Sequence, residues 1–229
     1  MIKEIETVAI GWCDNGTVDG KFTEGLIETV LTAPLSGMKI TSTIRVEGNQ
    51  IGRQRNVLFD SWEKDVKTDW LLCIDSDIRI TIPILKKLWD AADSKLFPVV
   101  SGTYFIAKDL DGSLMIPFPA LFVEHSETVV AYIHPLPENQ VIKCDYAGMG
   151  LVLLHKSIIP ILRDKYPDQH LFAERYLENN EFISEDIVFF KNLKSVGIQL
   201  VAHTGAIPMH IKRFQLNEEY YKLYWNSKG

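Results

Sequence analysis

Cysteine is scarce in this 229-residue chain, with only Cys13, Cys73 and Cys144, far apart and without a Cys-x-x-Cys pair. That scarcity excludes a disulfide framework and a zinc knuckle and fits a reducing compartment. Long apolar runs are missing too. No segment approaches the ~20 residues of a membrane span, so none is expected. The opening Met1-Ile-Lys-Glu-Ile-Glu6 carries acids where a secretory signal needs positive charge. A soluble, cytoplasmic protein is the expectation. Nor is there an excess of positive charge: 24 Lys and Arg against 30 Asp and Glu leave a net charge of −6. General nucleic-acid binders are usually basic, so broad DNA affinity is disfavoured. Gly-x-Gly-x-x-Gly after a strand is absent, which removes a nicotinamide oxidoreductase.

What remains is a globular composition, 46% hydrophobic and 24% charged, of a length suited to one domain, residues 1–229. The first hundred residues alternate strand and helix patterns. Strands are expected at 7–12 and 38–46, and helices at 22–31 and 53–66. Trp70-Leu-Leu-Cys-Ile74 is a continuous apolar run, the pattern of a central strand covered on both faces. A helix over 82–92 and a strand over 97–105 follow. This order implies parallel strands joined by right-handed crossovers. Residues 120–124 and 128–133 predict a β-hairpin. Short strands follow at 141–145 and 151–154, then a helix at 185–196 ended by Gly197, a strand at 198–202 and a last helix at 217–225. The fold class is α/β: a mixed, mainly parallel central sheet flanked by helices, with a small hairpin elaboration.

Asp75-Ser-Asp77 closes the most apolar strand. Ligands of open α/β sheets bind beyond the carboxyl ends of strands, and hard cations such as Mg²⁺ or Mn²⁺ prefer carboxylate and phosphate oxygens. An Asp-x-Asp is a weak motif alone, and the chain holds a second copy, Asp109-Leu-Asp111, which reads as a surface turn. From context alone, metal binding and a turn or cap role for Asp75 and Asp77 stand level.

Three further segments shift that balance: Arg53-Gln-Arg55-Asn56 opening a helix, Ala147-Gly-Met-Gly150 before an apolar strand, and Ser184-Glu-Asp186 opening a helix that leads on to His203-Thr-Gly205 and Met209-His210-Ile211. With the acidic pair, in this order, they resemble the GT-A class of glycosyltransferases, particularly small phage-type members, over residues 7–212. The resemblance implies residues 1–105 as a nucleotide-binding half and 106–229 as an acceptor-binding half. It also implies transfer of a sugar from a nucleotide-diphosphate sugar, a UDP-sugar by default, to a hydroxyl of a protein, a glycan or a modified DNA base. A phage-encoded chain would act in the host cytoplasm.

Residue by residue, the resemblance implies Asp75, Asp77 and His210 as ligands of Mn²⁺ or Mg²⁺, with Asp75 also near the donor ribose. Asp186 is implied as the base of an inverting reaction, with Glu185 beside it. Arg53, Arg55, Asn56, Trp12 and Asp14 are donor contacts by the same token. Asp145, Gly148, Met149, Gly150 and Tyr104 belong to the substrate side. His203 is a weaker candidate than His210. Each has a plainer reading: a first-turn acid that favours the helix dipole, a core histidine, a glycine that only permits a bend, or a Trp that is simply core. Two features depart from the pattern: Gly-Trp-Cys-Asp at the end of the first strand and Pro-Met-His where a Gly often precedes the histidine. A non-catalytic nucleotide-sugar or carbohydrate-binding protein is one alternative. The other is a sugar-phosphate nucleotidyltransferase, which would want a basic Gly-rich loop where Cys13 to Gly20 has neither Lys nor Arg.

Overall fold

The computed structural model describes residues 6–109, 115–125, 130–176, 182–212 and 218–226. Seven strands build the central sheet: β1 (Thr7–Asp14), β2 (Lys39–Glu47), β3 (Trp70–Ile74), β4 (Val99–Ser101), β5 (Val141–Cys144), β6 (Leu151–His155) and β7 (Leu200–His203). Their order is β5-β7-β4-β6-β3-β1-β2. β1 runs parallel to both β2 and β3, and β7 parallel to β4, while β6 is antiparallel to β3 and β4 and β5 is antiparallel to β7. The sheet is therefore mixed and mainly parallel. Strands from residues 1–105 and 106–229 interleave in it, because β6 lies between β3 and β4.

Six α-helices accompany it among the described residues: α1 (Gly20–Thr32), α2 (Ile51–Ser61), α3 (Ile82–Ala91), α4 (Ile158–Lys165), α5 (Glu185–Ser195) and α6 (Glu218–Asn226). Successive strand residues point to opposite faces, and the core divides accordingly. Ala9, Leu71, Cys73, Val152 and Leu154 join one buried cluster, with Leu58 of α2, Leu162 of α4 and Phe189 of α5. Val8, Ile10, Leu72, Leu151 and Leu153 join the other, with Phe22 of α1 and Leu85 of α3. All five residues of β3 are buried, as a strand covered on both faces requires.

Some expectations need correction. The helix expected over 53–66 starts at Ile51 and passes at Trp62 into a wider π turn over Trp62–Val66. Trp62 is wholly buried, and its indole N–H donates to the Thr68 Oγ1 at 3.1 Å, which seats the ring and opens the last turn. The strand expected over 97–105 ends at Ser101. A Cβ on Gly102 would stand 2.5 Å from Leu151, and the next amide, Thr103 N–H, donates to the Ala206 carbonyl rather than to a sheet neighbour. The chain thus leaves the sheet there and re-forms as an antiparallel pair, Phe105–Asp109 with Met115–Pro119. Leu121–Glu124 pairs with Val130–Tyr132 where the hairpin was expected, its turn lying mostly outside the described residues. Asp109 ends a strand of the first pair, and Asp111 lies outside the described residues. α4 was not anticipated.

Two short ladders position the site. Ile78–Arg79 pairs antiparallel with Met209–His210 just beyond the end of β3. Arg175–Tyr176 pairs with Phe182–Ile183 directly before α5. No helix among the described residues is long and apolar enough to cross a membrane.

Candidate active site

At the carboxyl ends of β1 and β2 an open cleft of about 740 Å³ is bordered by Asp14, Asn15, Asn49, Arg53, Phe172 and Glu174, among others. α2 begins here. Its N-cap position, Gln50, makes no side-chain cap bond, so no side chain from that position shields the first-turn N–H groups. Arg53 and Arg55 are two residues apart on α2, about 200° around the helix, and they part accordingly. Arg53 is exposed at the cleft and has no side-chain partner among the described residues.

Arg55 points inward. Its Nη2 donates to the Asp75 carboxylate at 3.0 Å and its Nη1 to Glu185. The Arg55 side chain is 11% exposed and that of Glu185 8%. Burial opposes the guanidinium charge, but the Asp75, Glu185 and Asp186 carboxylates outweigh it and hold Arg55 above its ordinary value. For Glu185 burial prevails over the attraction of Arg55, with Asp186 adding repulsion, and the carboxyl sits above the usual range. Glu185 is therefore a buried counter-ion. Asp186, next on α5 and half-buried, accepts from the Ser184 hydroxyl and from the Ile187 N–H at 2.8 Å.

Asp75 continues β3 opposite the Ala147–Gly150 bend, and its N–H donates to the Gly150 carbonyl at 3.1 Å. The two glycines of that bend make room for Tyr104. A Cβ on Gly148 would fall 1.9 Å from the Tyr104 hydroxyl, and one on Gly150 2.8 Å from its ring. Tyr104 is 6% exposed and Met149 2%. Tyr104 meets the ring of His210 edge-on at 5.1 Å, and burial pushes its phenol up.

The ladder after β3 then brings His210 to Asp77. His210 lies opposite Ile78, the Ile211 N–H donates to the Asp77 carbonyl at 2.8 Å, and His210 Nε2 stands 3.2 Å from Asp77 Oδ2. On the other side of the ring, His210 Nδ1 lies 2.7 Å from the Phe105 carbonyl oxygen. A carbonyl only accepts, so Nδ1 carries the proton. Nε2 then faces the carboxylate either as the N–H of an imidazolium or as a lone pair across a shared cation. Lys212 Nζ lies 2.7 Å from the same Oδ2. Partial burial opposes ionisation of Asp77, but the bonds from His210 and Lys212 outweigh it and draw its carboxyl down to about 2.

Three candidates turn away from this cluster. The Asn56 amide is spent on backbone, donating to the Gly52 and Phe172 carbonyls at 2.7 and 2.6 Å and accepting from Phe172 N–H. It anchors the Phe172 segment. The Trp12 ring packs towards Phe22 at 5.9 Å, and its N–H donates to Asp14. Asp145 accepts from Lys194 at 2.7 Å and from Glu124 N–H at 2.8 Å. Lys194 is nine residues along α5 from Glu185, about 13 Å by helical rise, so Asp145 braces the far end of that helix. Asp14 does border the cleft, but Arg45 grips its carboxylate at 2.7 and 2.8 Å, and the Gly16 and Trp12 N–H groups bond it as well. His203 Nδ1 accepts from Gly205 N–H and shapes a turn.

No group of three or more His, Cys, Asp or Glu side chains forms a metal-holding cluster among the described residues. Asp77 and His210 converge, while Asp75 is directed to Arg55. Sequence reasoning missed the contribution of Phe172 and Glu174 to the cleft and the pairing of Lys212 with Asp77. The first depends on the long-range bonds from Asn56 to the Phe172 backbone and the second on the ladder of Met209–His210 with Ile78–Arg79, and no local spacing reports either.

With this geometry in view, comparison with solved structures is informative. GalNAc-T7, crystallised with UDP, GalNAc and Mn²⁺, superposes with a TM-score of 0.56 at 10% identity, over 92% of this chain and 44% of that one. A197 from STIV superposes with a TM-score of 0.52 at 16% identity, over 90% of this chain and 86% of that one. The fold is GT-A-like. At 44% coverage this chain spans less than half of the GalNAc-T7 chain. No protein-family model and no curated sequence matches.

Proposed function

We propose that the protein is a small, phage-type GT-A glycosyltransferase that moves a sugar from a nucleotide-diphosphate donor, by default a UDP-sugar, to a hydroxyl of a protein, a glycan or a modified DNA base. One observation carries the reading: just past the carboxyl end of β3, Asp75 pairs with Arg55, which also holds Glu185, and two residues on Asp77 stands beside the His210 ring. The nucleotide occupies the 740 Å³ cleft, its diphosphate drawn to Arg53 and to the first-turn N–H groups of α2. Residues 1–105 supply most of that site, and Phe172 and Glu174 close it from the other half.

A divalent cation, Mn²⁺ or Mg²⁺, fits this chemistry. Asp77 and His210 offer two ligands at a mutual distance that suits neighbouring positions on one ion, and such ions complete their shell with substrate phosphates and water. The Phe105 carbonyl fixes the His210 tautomer with Nε2 forward, as metal-ligating imidazoles require. When bound, the cation supplies Lewis acidity to the departing diphosphate. Asp75, held by Arg55, faces the donor, and Tyr104 with the Gly148–Gly150 bend sets the floor beneath the transferred sugar. Asp186 accepts the proton of the attacking hydroxyl.

The direct test is incubation with Mn²⁺ and a panel of nucleotide sugars. Slow donor hydrolysis is expected, and donor binding without any turnover in every pairing supports a binding module instead. Asp186→Asn is expected to lower turnover at least roughly 100-fold with donor KM little changed. A large rise in donor KM at unchanged turnover would make Asp186 a donor-site residue.

A further inference from the structure

Lys212 forms its ion pair just past the ladder that brings His210 to Asp77. The two basic side chains converge on a single atom, Asp77 Oδ2, at 3.2 Å from His210 Nε2 and 2.7 Å from Lys212 Nζ. The backbone bond from Ile211 N–H to the Asp77 carbonyl and the pairing of His210 with Ile78 keep residues 210–212 beside that carboxylate. The ammonium thus neutralises the oxygen best placed to ligate a cation. The pair is exposed, with 52% of the Lys212 side chain and 35% of the Asp77 side chain open to solvent. Ion pairs this open are weak. The lysine therefore competes with a cation for Asp77 without excluding it.

We infer that Lys212 is a tethered counter-ion of Asp77 that couples metal uptake to donor binding. This rests on the metal-dependent reading above. A free divalent ion reaching Asp77 must detach the ammonium, which gains nothing in exchange. An ion arriving with a nucleotide diphosphate brings an anion with which the released ammonium pairs. Nucleotide and metal then favour one another, and by linkage the coupling is the same in both directions. Lys212 acts as a positioning residue, through Asp77 and the diphosphate, and forms no bond to the transferred sugar.

The test measures free Mn²⁺ by electron paramagnetic resonance in titrations of the full chain, with and without saturating UDP, for wild type and Lys212→Met. Methionine keeps the apolar stem and drops the charge. Lys86→Met, on a lysine that pairs with Asp90 on α3, controls for net charge. Without UDP, Lys212→Met is expected to bind Mn²⁺ about two- to fivefold more tightly than wild type. The tightening that UDP brings to wild type shrinks by a similar factor, and the control matches wild type. Mn²⁺ affinity in Lys212→Met equal to or weaker than wild type overturns the inference while leaving the metal site standing. If neither protein takes up Mn²⁺ even with UDP bound, the metal reading falls, and the inference with it.

Discussion

Asp77→Asn is expected to reduce sugar transfer at least roughly 1,000-fold while the protein melts close to wild type. The argument starts from charge. The Asp77 carboxyl sits at about 2, drawn down by His210 and Lys212 against the effect of its partial burial. It is therefore anionic throughout the neutral range, as a cation ligand must be. Asparagine keeps the shape and one acceptor oxygen but removes the charge that holds a hard cation. Stability changes little because the ion pair with Lys212 is exposed and such pairs contribute between nothing and about 1 kcal/mol. The sign of the pH dependence follows. A carboxyl lowered in the folded state stabilises above its unfolded value of 3.8, and that stabilisation is lost as pH falls towards about 2. Any stability gap between wild type and Asp77→Asn should thus close in acid. A transfer assay in Mn²⁺ beside a thermal melt checks both halves. More than a tenth of wild-type turnover in a well-folded Asp77→Asn would remove the carboxylate from the chemistry.

The legibility of this protein divides along the range of the interactions. β3 was readable from Trp70-Leu-Leu-Cys-Ile74 because a strand buried on both faces is written locally, and Asp75 and Asp77 were readable as its end. α5 was readable because acids in its first turn and Gly197 past its end punctuate an apolar stretch. The antiparallel insertion of β6 between β3 and β4 was not, because register and direction arise from pairings 51 to 85 residues distant. The same limit applied within the site. Arg53 and Arg55 look alike in sequence, yet their helical offset sends one to the cleft and the other to two buried acids. Asn56 and Asp145 are polar residues beside functional segments, which is how a ligand contact would look. Their bonds instead run to the Phe172 and Glu124 segments. Gly148 and Gly150 could be read as room for a substrate. They are first of all room for Tyr104, a partner more than 40 residues upstream. The sequence carried the types of residue needed, and tertiary pairing decided which of them face the ligand.

Arg55→Met is expected to be the most destabilising single change in the site, by roughly 3–5 kcal/mol at neutral pH. In wild type the guanidinium serves two carboxylates at once, and its side chain is only 11% exposed. Methionine fills most of the volume but leaves both acids without their cation. Asp75, whose side chain is 30% exposed, relieves part of the loss by turning to water. Glu185 has no such outlet. Its carboxyl already lies above the usual range through burial, with Arg55 as the force that lowers it. Without that force it rises further and folds in its protonated form. The folded state then binds a proton that the unfolded chain releases, so stability falls as pH climbs from the unfolded value of 4.5 through the raised folded one. Urea melts at pH 5 and pH 8 should show a distinctly larger deficit at pH 8. Adding Glu185→Gln to Arg55→Met removes the stranded charge, and the double variant should regain stability at pH 8 and lose most of its pH dependence, a non-additivity expected only of directly coupled groups. Equal deficits at both pH values, with no recovery in the double variant, would mean that Arg55 acts through packing alone. The acid of α5 and the acid at the end of β3 would then be independent features of the site, with no shared cation joining them.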